Sequence, residues 1–188
     1  MIKQFQAYHG TNRGSAENIM REGFKIKKYS FMKAELESVP GDLGMGLYAY
    51  DDSYQNALDF ITKFRNIDDP KVLKLNLEVD EEKYLDLDDP DNEEIFKQHF
   101  NVQQIQNLSR RYKSAKGDKS RQCLDGLIIE HILFKTRLDV DLISKKTYTP
   151  FKGLPQLSHF TNGTELCIKN NKIINTDIEV IEPCTKER

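Results

Sequence analysis

Tryptophan is absent from the 188-residue chain, and cysteine occurs only at positions 123, 167 and 184. Without Trp, ten Phe and eight Tyr must supply the aromatic bulk of the core and any stacking surface. An odd set of widely spaced cysteines fits neither a disulfide framework nor a zinc site. Reduced thiols are expected, with Cys167 on a buried strand. No apolar run approaches the length that spans a bilayer, so no membrane partner is expected. Residues 1–20 carry no hydrophobic signal region, and the expected location is cytoplasmic. Neither a phosphate-loop nor a dinucleotide-fold glycine fingerprint is present, which removes support for a Rossmann reading. Repeats and low-complexity tracts are also missing.

Charge of one sign is lacking as well. Lys and Arg total 28 against 30 Asp and Glu, a net charge of -2. The whole-molecule field does not steer the protein to nucleic acid, so any basic surface is local. Residues 78–94 are acidic and read as a solvated loop. Asp86, Asp88, Asp89 and Asp91 lack the glycine and terminal Glu of a calcium loop, and no metal is expected. A basic run follows at Arg110, Arg111, Lys113, Lys116, Lys119 and Arg121, either a solvated linker or a phosphate-contacting patch.

Hydrophobic residues make up 38% and charged residues 31%, as in a polar surface around a modest core. The length suits a single domain over residues 1–188, or one domain plus an insert. Phe5 to Tyr8 is predicted as a strand ending at His9, and residues 10–14 as a turn. Ser15 is expected to cap a helix through Arg21, with Gly23 terminating it. Residues 25–39 are expected to form a mobile loop or short helix over the site. Pro40 to Gly46 is glycine-dense, and Leu47 to Tyr50 alternates into a strand. Asp51-Asp52-Ser53 opens a helix to about Arg65, with Tyr54, Ala57, Leu58, Ile61 and Phe64 at helical spacing. Val72 to Val79 is an alternating strand and Tyr84 to Leu87 a shorter one. Glu93 to Tyr112 reads as one helix with Ile95, Phe96, Phe100, Ile105 and Leu108 as its stripe. Leu124 to Ile129 is predicted as a turn feeding a buried strand. Residues 131–160 read as irregular, broken by Pro150, Gly153 and Pro155. Strands are expected at 164–169, 172–174 and 177–181, then a loose tail at 183–188. Strands at both ends with helices between indicate an α+β protein with a mixed or antiparallel sheet.

Three positions stand out for chemistry. His9 lies where a strand meets a turn, beside Gly10, whose bare backbone can meet a flat polar ligand. Tyr48 follows the glycine-dense loop and can offer a stacking face. Glu165 lies in a strand between apolar neighbours, and period-2 alternation does not decide whether it faces solvent or a cleft.

Tyr8-His9-Gly10-Thr11, a helix ending at Glu22-Gly23-Phe24, and Gly44-Met45-Gly46-Leu47-Tyr48 together resemble the ADP-ribosyltransferase superfamily. The resemblance is to its His–Tyr–Glu branch, shared by diphtheria-type toxins and poly(ADP-ribose) polymerases, in a bacterial toxin-type member. Thr164-Glu165-Leu166-Cys167 is similar to the late strand that carries the family's Glu, and Leu124-Asp125-Gly126-Leu127-Ile128 to a strand start before it. The likeness covers residues 7–64 well and 123–181 loosely, and has no counterpart for 80–120. In the polymerases a second stacking Tyr follows on the next helix; that register holds Asp59 here, with Phe60 one residue on.

The resemblance implies an ADP-ribosyltransferase-like split mixed or antiparallel sheet, NAD as co-substrate and no metal. It implies catalytic roles for Glu165, His9 and Tyr48. It implies NAD contacts by His9, Gly10, Thr11, Tyr48, Ala49 and Phe60. Glu165 would stabilise the cation that builds on the ribose. Gly163, two residues before it, replaces the acid that marks arginine-modifying relatives, so arginine is not the expected acceptor. The implied acceptor is a macromolecule, RNA, DNA or protein, and a toxin or phage-defence effector of this kind would need restraint by an antitoxin partner. Two alternatives stand beside this. An RNA 2′-phosphotransferase shares the His-Gly-Thr start, but His99, His131 and His159 stand alone here. A non-catalytic module of the same fold would bind a nucleotide or partner.

Overall fold

The computed structural model describes residues 1–31, 38–99, 102–114, 124–149 and 160–182. It is an α+β protein built on one seven-stranded mixed sheet and five helices. The strands are β1 (Ile2–Asn12), β2 (Leu47–Asp51), β3 (Pro70–Asp80), β4 (Tyr84–Asp86), β5 (Leu142–Thr147), β6 (Gly163–Ile168) and β7 (Glu179–Ile181). The helices are α1 (Arg13–Glu22), α2 (Tyr54–Asp59), α3 (Pro90–Gln98), α4 (Val102–Ser114) and α5 (Asp125–Thr136). Across the sheet the order is β4-β5-β6-β2-β1-β3-β7. Only β4 and β5 run parallel; the other neighbours are antiparallel.

Period-2 alternation divides the core. Ala7, Leu73, Leu75, Leu77, Ala49, Leu166 and Ile168 point to one face, where Ala16 and Ile19 of α1 and Phe24 cover them. Tyr50, Val72, Ile143 and Cys167 point to the other, where α2 and α5 cover them. Each fully buried Leu or Ile contributes roughly 1.5–3 kcal/mol. A further cluster joins Leu108 of α4 to Leu127, Ile128 and Ile132 of α5.

Several expectations from the sequence are corrected. β1 continues through the predicted turn to Asn12, because β3 pairs with it residue by residue from Ile2↔Asp80 to Asn12↔Pro70. The cap of α1 is Asn12, whose side chain accepts from Ser15 N, not Ser15 itself; Gly23 does end the helix. Leu124 to Ile129 feeds a helix and not a strand. α5 is buried nearly all round, so its apolar residues carry no one-sided helical stripe to distinguish it from a strand. The stretch read as irregular, 131–160, holds the end of α5 and all of β5. The single helix expected over 93–112 is two, α3 and α4. The acidic region contains β4 and the start of α3. There Asp86 and Asp89 accept from the backbone N–H groups of Asp88 and Asp91, and Asp88 accepts from Lys146 N. Residues 172–174 fall largely in a short 3-10 turn rather than a strand. Phe100, Lys116, Lys119, Arg121, Cys123, Pro150, Gly153, Pro155, His159 and the tail at 183–188 lie outside the described residues.

Candidate functional site

β1 and β2 are joined by only two residue pairs, Ala7↔Asp51 and Tyr8↔Tyr50. Beyond Tyr8 the two strands part. β1 stays on β3 to its end, while β2 stays on β6 from Tyr50↔Glu165 to Leu47↔Ile168. The sheet is therefore split between residues 9–12 and 47–49. A cavity of about 80 Å³ occupies this region, lined by Tyr8, His9, Gly10, Tyr48, Ala49, Tyr50, Ala57, Phe60 and Glu165.

Six residues singled out in the sequence thus meet at one place: His9, Gly10, Tyr48, Ala49, Phe60 and Glu165. Thr11 is buried, pairs with Lys71 and does not line the cavity. Five residues that sequence reasoning did not assign to the site complete its walls and its supports: Tyr8, Tyr50, Ala57, Thr147 and Thr149. Tyr50 was legible in principle, because it lies two residues beyond Tyr48 on a strand and so shares its face. The threonines were not, because their approach to Glu165 depends on how β5 lies against β6.

His9 bridges the split. Its Nδ1 lies 2.7 Å from Tyr48 O. A carbonyl only accepts, so the proton is on Nδ1. Burial lowers the imidazole from its ordinary 6.5, against the opposing pull of that hydrogen bond. The ring is therefore neutral at neutral pH, with Nε2 an acceptor. Its edge packs on Phe24 at 5.9 Å between centroids.

Tyr48 is anchored by its hydroxyl, which accepts from Leu43 N and donates to Gly44 O, both at 2.8 Å. Burial chiefly, and then Cys167, hold the phenol well above its ordinary value, so it remains a donor. The glycine-dense loop is fixed from its other side by a buried ion pair. Lys169 Nζ lies 2.5 Å from Glu130 Oε1, which also accepts from Met45 N at 2.6 Å. Lys169 donates to Met45 O as well.

Gly10 is required by close approach. A Cβ there would stand 2.4 Å from the carbonyl oxygen of Ala57 on α2. That proximity brings α2, and the five-residue π turn Phe60–Phe64 that continues it, against β1. π turns shift the helical register by one residue and recur at functional sites. Here Phe60 lines the cavity, while Asp59 engages Gln55 and Lys63.

Glu165 is 4% exposed. Its Oε1 accepts from Thr147 Oγ1 at 2.9 Å and Thr149 Oγ1 at 3.0 Å. Among the described residues the lining is aromatic apart from this carboxylate, His9 and small residues, and contains no Lys or Arg. Such a site favours a flat ring that carries or develops positive charge. A larger cavity of about 210 Å³, between the loop at Lys27 to Phe31 and α5, contains none of His9, Tyr48 and Glu165.

His99 is exposed at the end of α3, and His131 on α5 packs against Phe31, both away from the split. Among the described residues no group of three His, Cys, Asp or Glu side chains could hold a metal ion. None of the described helices is long and apolar enough to cross a membrane. No protein-family model matches the chain, and no curated protein matches its sequence.

Proposed function

We propose that the protein is an NAD-dependent ADP-ribosyltransferase of the His–Tyr–Glu type, cleaving the bond between nicotinamide and ribose and passing ADP-ribose to a macromolecular acceptor. The observation that carries this reading is the convergence of His9, Tyr48 and Glu165, from three different strands, on one aromatic cavity at the split between β1 and β2. The family's split-sheet fold belongs to the same proposal.

The residues fit a nicotinamide and its ribose. The face of Tyr48, held by its anchored hydroxyl, stacks on the pyridinium ring. Backbone groups of Gly10, which no Cβ covers, hold the carboxamide. His9 Nε2 accepts a hydrogen bond from a ribose hydroxyl, as its neutral Nδ1–H tautomer allows. Phe60, whose ring lies 6.4 Å from that of Tyr50 between centroids, completes the aromatic wall.

The reaction breaks the C1′–N bond. The bonding pair stays on the ring nitrogen, so nicotinamide leaves neutral and needs no acid. Glu165 faces the positive charge that grows on the ribose and stabilises it electrostatically. A nucleophile of the acceptor then attacks C1′, and its proton passes to Glu165 Oε2. Glu165, with Oε1 already engaged by two hydroxyls, takes the ribose 2′-hydroxyl and the incoming nucleophile through Oε2.

Incubation with NAD labelled in its adenylate half tests both the transfer and its acceptor. RNA, DNA and cell protein are offered separately. Label fixed to one of them supports a transferase and defines its substrate class. Free ADP-ribose with no labelled acceptor indicates an NAD glycohydrolase. Bound but uncleaved NAD indicates a binding module.

A further inference from the structure

Building on the proposed transfer of ADP-ribose, we infer that Thr149 and Thr147 are positioning residues. Their hydroxyls pin one oxygen of the Glu165 carboxylate and leave the other for substrate. Tyr50 supplies the third hydroxyl of the chain.

The geometry is specific. Both threonines donate to the same atom, Oε1, at 2.9 and 3.0 Å. Among the described residues Oε2 accepts no hydrogen bond. A hydroxyl has one proton. With that of Thr149 committed to Glu165, Tyr50 is the donor in the 3.1 Å contact between its hydroxyl and Thr149 Oγ1. The order is Tyr50 to Thr149 to Glu165. Thr149 is fully buried and Glu165 nearly so, so water does not compete for these bonds.

Thr149 is itself held from outside the cavity. The side chain of Asn162 pairs with its backbone in both directions, accepting from Thr149 N at 2.9 Å and donating to Thr149 O at 2.8 Å. Asn162 N donates to Thr147 O at 2.9 Å. Asn162 O accepts in turn from Asn56 Nδ2 of α2 at 2.8 Å. Through its side chain and its backbone, Asn162 therefore ties the end of β5, the start of β6 and α2 together around the carboxylate. A group that must stabilise charge on a ribose without reorganising during the reaction needs such fixed partners.

Thr149→Val replaces the hydroxyl by a methyl of the same shape, and Thr149→Ser keeps the hydroxyl. Steady-state nicotinamide release is measured for both, beside Thr147→Val, with folding checked by thermal melting. Thr149→Val is expected to lose about tenfold or more in kcat, with KM changed less than about twofold, and Thr149→Ser to recover most of the loss. If Thr149→Val does not fold, Thr147→Val carries the same expectation. Wild-type kcat in a folded valine variant overturns the inference. So does a serine variant as slow as the valine one, since the methyl would then be what matters. A crystal structure of the folded valine variant separates this inference from the reaction itself. A displaced Glu165 carboxylate supports the pinning even if the wild type proves to cleave no NAD. An unmoved carboxylate overturns it whatever the enzyme turns over.

Discussion

Tyr8 and Tyr50 form the last pair at which β1 and β2 are joined. One residue later, the place of a backbone ladder is taken by the His9 ring, bonded to Tyr48 O. His9 and its contact Phe24 belong to the face of the sheet that carries α1. Glu165, Tyr48 and Tyr50 belong to the face that carries α2 and α5. Groups from opposite faces reach one cavity because the sheet opens there.

Gly10 controls how closely α2 approaches that opening. In Gly10→Ala the new methyl would meet Ala57 O at 2.4 Å, a backbone atom that yields only if α2 moves. A loss of about 1–3 kcal/mol in urea unfolding is expected, with reduced nicotinamide release. Gly14→Ala in α1 is the control. Its Cβ has only Asn12 Oδ1 nearby, at 3.7 Å, so the better helix former should stabilise by up to about 1 kcal/mol. Equal effects of the two substitutions would contradict the packing given for Gly10.

The Glu130–Lys169 pair, with both side chains 11% exposed, should behave as a buried ion pair. Glu130→Ala leaves the Lys169 ammonium without its carboxylate and Met45 N without its acceptor. Destabilisation of about 3 kcal/mol is expected. Adding Lys169→Met should restore part of the loss, because the stranded charge is gone. A double variant that is the sum of its single variants would show that the two charges act independently.

Stability should depend on pH through His9. Burial lowers its folded value below 6.5, while the unfolded chain protonates at that ordinary value. Between the two the unfolded state holds more protons, so stability rises with pH. The contribution is complete above 6.5 and is lost as pH falls toward the folded value. His131 shifts in the same direction, by burial first and then the charges of Lys135 and Arg111. Unfolding free energies between pH 7.5 and 5 should therefore fall less steeply in His9→Gln than in the wild type, with the slope from His131 remaining. Parallel slopes would place the His9 imidazole in contact with solvent.

The fold was partly legible in the sequence. Val72 to Val79 alternates because one of its faces carries the main core, and β3 follows from that pattern. His9, Tyr48 and Glu165 were singled out by the resemblance of the motifs that hold them, His9-Gly10-Thr11, Gly44-Met45-Gly46-Leu47-Tyr48 and Thr164-Glu165-Leu166. The face of Glu165 could not, since its strand is apolar on both sides; its pairing with Tyr50 decides it. α5 escaped because burial on all sides erases periodicity. β5 escaped because Lys145 and Lys146 mask a strand whose first three residues are fully covered. With β5 unassigned, Thr147 and Thr149 had no visible relation to a carboxylate 18 and 16 residues away.

Nicotinamide release from NAD by the wild type and by Glu165→Gln, with acceptor present, tests the proposed chemistry most directly. Loss of the carboxylate's charge should lower kcat by about 100-fold or more while NAD affinity stays within about threefold. Equal release by the two proteins, or no release by the wild type with any acceptor, would contradict a catalytic role for Glu165 in cleaving NAD.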